Sequence, residues 1–133
     1  MKCVVFYENW QMECCGTAFS IDDTVKWLVY KTEQINTPVD VGKINYCYEA
    51  HSSDWQNLLV LEGKVGMIKI LYEKYAPSID DSRLLVPVSG ETLEVEGVKG
   101  FEKKINDMEP SGYIVALNEY TIRPAAQEEV IFK

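Results

Sequence analysis

Apolar and polar residues alternate along most of this chain with the two-residue period that is typical of β-strands. β-branched and aromatic residues dominate the alternating stretches, and helical periodicity is scarce. One stretch, residues 57–62, fits either a strand or a helical turn. The pattern predicts strands at residues 2–7, 24–31, 41–49, 57–62, 64–75, 83–88, 92–98, 112–120 and 128–132.

Turn residues separate these strands at regular intervals. Ser89-Gly90-Glu91 has the composition of a hairpin connection between two of them. Gly63 and Gly66 flank the start of the longest segment and would let it bend around a barrel corner. Many short strands with regular turns indicate a barrel or a sandwich. We therefore expect an all-β fold, a single small, partly open barrel of SH3-like or OB-like form, built as one domain over residues 1–133.

Helical spacing is clearest in residues 101–108. Phe101, Ile105 and Met108 recur at that spacing, and Pro110 follows them. The segment is only about two helical turns long and fits a loop equally well. We expect at most one short helix in the fold.

The length and charge of the chain restrict its partners and its location. A chain of 133 residues with a net charge of −8 has the size of one domain. Its longest basic run is Lys103-Lys104, so it lacks the clustered cations that nucleic acids or anionic membranes attract. The apolar run at the N-terminus is too short for a signal-peptide core, and no segment reaches transmembrane length. These features predict a cytoplasmic protein with reduced thiols and no nucleic-acid or membrane partner.

Two adjacent cysteines, Cys14 and Cys15, suggest a metal site. Together with Cys47 and His51 they supply the soft and borderline ligands that zinc prefers. Adjacent side chains point apart in extended backbone, so the favoured arrangement uses one of the two cysteines with Cys47 and His51, completed by water or Glu49. The alternative is that Cys47 and one of the adjacent cysteines are small buried apolar groups.

A thiol-redox role is a further possibility for the adjacent pair, because vicinal cysteines can form a strained and labile disulfide. Residues 10–19 contain no Lys or Arg that would stabilise a thiolate, and His51 is the one histidine of the chain. No nucleophile elbow, phosphate loop, dinucleotide fingerprint or zinc-protease motif is present. The sequence therefore favours a protein that is not an enzyme.

Aromatic residues suggest a binding role. The chain has eight tyrosines and three tryptophans, and such residues are enriched at binding surfaces. Trp10 and Trp55 lie outside the predicted strands, so we expect them to be exposed and to contribute to binding. Five other aromatic residues alternate within strands and are expected to pack the core: Trp27, Tyr46, Tyr48, Tyr72 and Tyr113.

The segment Trp10-Gln11-Met12-Glu13-Cys14-Cys15-Gly16-Thr17-Ala18-Phe19 resembles the opening of a family of small bacterial proteins of unknown function. Members share the pattern Trp-Gln-x-x-Cys-Cys-Gly-x-x-Phe, followed by a turn and a Val-x-Trp strand, here Val25-Lys26-Trp27. Shorter similarities occur at residues 49–51, 63–68 and 112–115. Cys47 is outside the pattern, so the resemblance leaves Cys14, Cys15 and His51 as the shared polar set. It implies no known activity.

The sequence thus predicts a non-enzymatic binding or interaction module that recognises a protein or a small molecule. The competing hypothesis is a zinc or thiol-redox site built from Cys14, Cys15 and His51. The identity of the ligand and the oligomeric state are left open by the sequence.

Overall fold

A computed structural model describes residues 2–15, 17–33, 35–49, 55–100 and 102–126, with side chains except those of residues 13–15 and 55. Most of these residues lie in strands, as the alternation predicts. The elements, in chain order, are β1 (Lys2–Glu8), α1 (Asn9–Cys15), β2 (Phe19–Ser20), β3 (Thr24–Lys31), β4 (Tyr46–Tyr48), a 3₁₀ turn (Trp55–Asn57), β5 (Leu59–Pro77), β6 (Leu85–Val95), β7 (Gly97–Val98) and β8 (Glu109–Pro124).

Five strands pair in a ring. Their order is β3, β4, β1, β8 and β5, and β5 pairs again with β3. β1 and β4 are parallel, and the other pairs of the ring are antiparallel. β6 extends from β5 outside the ring, so the sheet is not a clean barrel. The predicted all-β fold with at most one short helix is confirmed.

β5 is the longest element and holds the ring together. One of its edges pairs with β8 from Leu59 to Glu73. Its other edge pairs first with β3, from Leu59 to Lys64, and then with β6, from Ile68 to Pro77. The pairing with β8 shifts register at Gly63 and again at Gly66. Most of the predicted segments 57–62 and 64–75 therefore belong to one strand, which is irregular at both glycines, whereas Asn57 belongs to the 3₁₀ turn.

Apolar residues pack on both sides of this sheet. The inside of the ring holds the main core, which includes Val5, Leu61 and Val115. On the outside, the segment between β3 and β4 covers the sheet, and Ile44 packs there against Leu71 and Ile114. Burial on both faces explains why Leu71 and Ile114, which alternate with inward-facing neighbours, are also apolar.

The predicted hairpin at Ser89-Gly90-Glu91 is wrong, because β6 runs straight through these residues. The turn between β5 and β6 lies earlier, where the Ser78 amide donates a hydrogen bond to the Leu84 carbonyl oxygen at 2.7 Å. Gly90 is required because neighbouring atoms approach its backbone closely, not because the chain turns there. A β-carbon there would overlap the Tyr72 carbonyl oxygen and lie 2.9 Å from Val39 Cγ2.

Two other segments differ from the pattern-based prediction. Residues 102–108 are not helical, and Ile105 pairs with Met108 across a tight turn in which Asn106 has a positive φ of 55°. Within residues 41–49 only Tyr46–Tyr48 is a strand. The earlier part is irregular because the Asp40 carboxylate accepts a hydrogen bond from the Gly42 amide, and Gly42 has a φ of 75°. Residues 128–132, predicted as a strand, lie outside the described residues.

Candidate functional site

Five aromatic side chains cluster inside the ring. Tyr7 on β1 stacks on Tyr48 of β4, with ring centroids 3.8 Å apart and planes inclined by 9°. Trp27 on β3 meets Tyr7 edge-on at 5.4 Å and Tyr48 at 6.0 Å. Phe19 lies 5.2 Å from Trp27, and Tyr113 lies 6.2 Å from Tyr7. Stacked and edge-on geometries are the favourable ones for aromatic pairs, so the cluster is a rigid wall.

This wall lines a cavity of about 360 Å³, which we call the aromatic pocket. Its apolar surface is formed by four members of the cluster, of which Tyr7 and Phe19 are buried, whereas Trp27 and Tyr48 are partly exposed. The remaining lining residues are Thr17, Ala18, Asp23, Thr24, Val25 and Lys26. Aromatic side chains and polar groups thus line one concave site, a combination that small-molecule sites use.

A tight turn holds Asp23 at the edge of the aromatic pocket. The Asp23 carboxylate accepts a hydrogen bond from the Ser20 amide at 2.8 Å, and the Asp23 amide donates to the Ser20 carbonyl oxygen at 3.1 Å. Asp22 between them has a positive φ of 75°. Asp side chains commonly bond their own backbone in turns of this kind. The turn places Asp23 among the residues that line the cavity and leaves Asp22 to form an exposed ion pair with Lys64.

The motif of residues 10–19 anchors α1 beside the aromatic pocket. Gln11 is completely buried, and its side-chain amide donates a hydrogen bond to the Tyr48 carbonyl oxygen at 3.1 Å. Met12 is buried in the main core, and Phe19 forms part of the pocket wall. The motif therefore has a clear packing role, which joins α1 to the end of β4.

A hydrogen-bond network fixes the other end of the aromatic cluster. The Tyr113 hydroxyl lies 2.6 Å from Glu102 Oε1 and 2.9 Å from Asn9 Oδ1. A phenol has one proton, and it donates to the charged carboxylate because that hydrogen bond is the stronger one. The Glu102 carboxylate also accepts hydrogen bonds from the Lys99 and Gly100 amides, at 3.0 and 3.1 Å. The network ties the loop after β7 to the start of α1.

The adjacent cysteines lie in the last turn of α1, where the backbone is helical. The expectation of opposed side chains assumed extended backbone, whereas the backbone of this segment is helical. The side chains of Cys14 and Cys15, and the whole of His51, lie outside the described residues. Among the side chains that the structure describes, no group of three His, Cys, Asp or Glu is arranged to hold a metal. The zinc hypothesis stays a prediction.

Cys3 and Cys47 are buried thiols. Burial raises the pKa of Cys3 to about 11. Burial also raises the pKa of Cys47, and a hydrogen bond with the Tyr30 hydroxyl partly offsets that effect. Both groups are therefore neutral thiols near pH 7, which agrees with the expectation that Cys47 is a small buried apolar group.

Of the two tryptophans proposed for binding, the structure describes the side chain of Trp10 but not that of Trp55. Trp10 is 49% exposed, and its indole donates a hydrogen bond to Glu8 Oε2 at 2.9 Å. It does not line the aromatic pocket. Trp55 begins the 3₁₀ turn, and its side chain is outside the described part of the chain. A binding role for either residue remains a prediction.

The lining residues Tyr7, Phe19, Trp27 and Tyr48 were not proposed as a site from the sequence. The alternation of apolar and polar residues did predict that Trp27 and Tyr48 face the core, together with Tyr46, Tyr72 and Tyr113. All five pack in or against the main core. Alternation identifies residues that face inward. It does not reveal that the space between them is left unfilled, because that depends on how the strands close.

No helix among the described residues is long and apolar enough to cross a membrane.

Comparison with known proteins gives one match. No curated protein and no solved structure shows significant similarity to the chain. A family model matches residues 1–119, which is most of the sequence and includes every lining residue of the aromatic pocket. The chain therefore belongs to DUF6578, a family of unknown function.

Proposed function

We propose that this protein is a non-enzymatic binding module and that its ligand occupies the aromatic pocket. The observation that carries the proposal is the partial exposure of Trp27 and Tyr48 within an otherwise packed aromatic cluster. A ligand that covers this aromatic surface removes it from water, which contributes about 25 cal/mol of binding free energy for each Å² buried. Neighbouring rings hold both side chains in place, so a ligand would find the site already formed.

The ligand is expected to be small, with a flat apolar part and a polar substituent. A cavity of 360 Å³ is at the small end of ligand sites, which span about 300–1,000 Å³. Trp27 and Tyr48, the partly exposed members of the wall, would contact a flat ring or a short apolar chain. Asp23, Thr24 and Lys26 at the edge would contact a polar group. A side chain of a partner protein that has an apolar part and a polar group would fit the same site.

Replacing Trp27 with leucine tests the proposal. We expect small aromatic fragments to bind the unmodified protein and the Trp27→Leu variant to bind them about tenfold more weakly or worse, because the indole is one of the two partly exposed rings of the wall. Trp10→Leu is the matched control, since it makes the same change at an exposed position outside the pocket. The measurement is chemical-shift titration by NMR with a fragment library.

A second variant separates binding from folding. Ala18 is exposed and lines the aromatic pocket, so Ala18→Leu narrows the cavity without removing a core ring. It should weaken the same fragments while the near-ultraviolet circular dichroism stays unchanged. Fragments that bind both variants as well as they bind the unmodified protein would refute the pocket as the site, as would a library in which nothing binds saturably.

One contact favours the zinc hypothesis as a second candidate. Gln11 precedes Cys14 by three residues, and Tyr48 precedes His51 by three residues. The hydrogen bond between Gln11 and the Tyr48 carbonyl oxygen brings these two parts of the backbone together. We propose that a zinc ion, if bound, uses Cys14, Cys15 and His51.

Native mass spectrometry tests this candidate. It predicts one zinc per chain, lost in Cys14→Ala and retained in Cys3→Ala, a matched substitution of a buried thiol on β1. A mass without metal, in a protein purified without chelators and then offered zinc, would reject it. A mass lower by two hydrogens would instead indicate the vicinal disulfide of the redox alternative.

A further inference from the structure

The hairpin of β5 and β6 extends beyond the ring. β8 pairs with β5 only as far as Glu73, whereas β6 continues to pair with it as far as Pro77. Four residues of β5 thus have a neighbour on one side only, which corresponds to a projection of roughly 13 Å. We call residues 74–88 the arm.

The surface of the arm is apolar and exposed. Ile79 at its tip is fully exposed, and Leu85 is 61% exposed. Tyr75, Leu84 and Val88 are exposed as well. Five large apolar side chains are thus exposed on one short projection, and a concentration of exposed apolar surface on a folded protein usually marks an interaction site.

The arm also has unpaired backbone. β6 is the last strand of the sheet, so one of its edges has no strand partner among the described residues. A free edge presents N–H and C=O groups that favour pairing with another strand. The register shift beside Tyr75 and the presence of Pro87 limit how far such pairing can extend. A short strand pairing, supported by apolar contacts, is what this edge allows.

The distribution of charge along the chain indicates which partner the arm can bind. The arm carries two cations, Lys74 and Arg83, and two anions, Asp80 and Asp81, so its net charge is zero. The whole net charge of −8 therefore lies outside the arm. Two copies of this chain repel each other through most of their surface, but not through the arm. A neutral, apolar projection is the part of the molecule through which a second copy can approach at least electrostatic cost.

We propose that two copies of the chain associate through their arms. The free edges of the two β6 strands pair antiparallel about a two-fold axis, which is the symmetry of an isologous contact. Pairing centred near Val86 places Leu85 of one copy opposite Pro87 of the other, and Leu84 opposite Val88. The contact is short, so the expected dissociation constant is about micromolar and not nanomolar.

Sedimentation equilibrium of the full chain from about 1 µM to 1 mM tests the proposal. We expect a monomer–dimer equilibrium that tightens as salt is raised from about 0.05 to 0.5 M, because salt screens the repulsion between the two acidic bodies and leaves the apolar contact intact. The double variant Leu85→Lys with Val88→Lys should remain monomeric over the whole range. Ile122→Lys on β8 is the matched control, an exposed apolar residue far from the arm, and it should dimerise as the unmodified chain does.

Three outcomes would overturn the proposal. The first is a monomer at every concentration, which would leave the arm to a different partner. The second is a dimer that the double lysine variant does not weaken, and the third is a dimer that Ile122→Lys abolishes. The test is independent of the aromatic pocket, because no residue of the arm lines that cavity.

Discussion

Replacing Tyr7 with alanine is expected to lower the free energy of unfolding by about 3–5 kcal/mol, as is usual when a buried aromatic side chain is truncated. Tyr7 is 1% exposed, and its ring contacts the rings of Phe19, Trp27, Tyr48 and Tyr113. Removing it deletes the stacked partner of Tyr48 and opens a void beside the aromatic pocket. Urea unfolding followed by far-ultraviolet circular dichroism measures the change.

Two comparisons make the Tyr7 result interpretable. Tyr7→Leu keeps most of the apolar volume and should cost clearly less than Tyr7→Ala. Trp10→Ala truncates an exposed aromatic residue and should change stability by no more than about 1 kcal/mol. If Tyr7→Ala and Trp10→Ala had similar effects, the aromatic cluster would not be the rigid centre of this fold.

The second large effect is expected at Gly90. We predict that Gly90→Ala destabilises the protein by about 3 kcal/mol, the upper end of the usual cost of adding a methyl group at a tightly packed position. The added methyl group would overlap the Tyr72 carbonyl oxygen, which belongs to the backbone of the paired strand and cannot rotate away. It would also press on Val39, which lies in the segment that covers the outside of the sheet.

Gly97→Ala is the matched control for Gly90. A methyl group at Gly97 would come 2.7 Å from the Ser20 hydroxyl, the free end of an exposed side chain that can turn to another rotamer. We expect a change of less than about 1 kcal/mol in the same urea experiment. Equal losses for the two substitutions would show that the tightness at Gly90 is relieved by a small movement of the strands.

Much of the fold could be predicted from alternation. The strand at Thr24–Lys31 has the predicted bounds, and the strands β1 and β8 contain the predicted segments. These predictions succeed because one face of each strand is buried, and the alternation of apolar and polar residues identifies that face. Gly90 misled the hairpin prediction, since a glycine required by close packing and a glycine required by a turn look identical in one sequence.

The helix α1 and the aromatic pocket were beyond this kind of inference. α1 has only seven residues, too few for a helical period to emerge, and its stability comes from the burial of Gln11 and Met12. The pocket depends on Tyr7, Phe19, Trp27 and Tyr48 meeting across four separate elements. Which inward-facing residues meet is set by strand order, and here the order includes a parallel pair, β1 with β4, that nothing in the local pattern indicates.

The position of β1 in the ring has a consequence for synthesis on the ribosome. β1 pairs over its full length with β8, so that Lys2 lies opposite Asn118. At a translation rate of about 5–20 residues per second, the first strand waits roughly 6–23 seconds before its antiparallel partner has been made. The aromatic face of β1 is without its final cover during that interval. We expect the nascent chain to resist aggregation poorly until β8 has left the exit tunnel and can pair with β1.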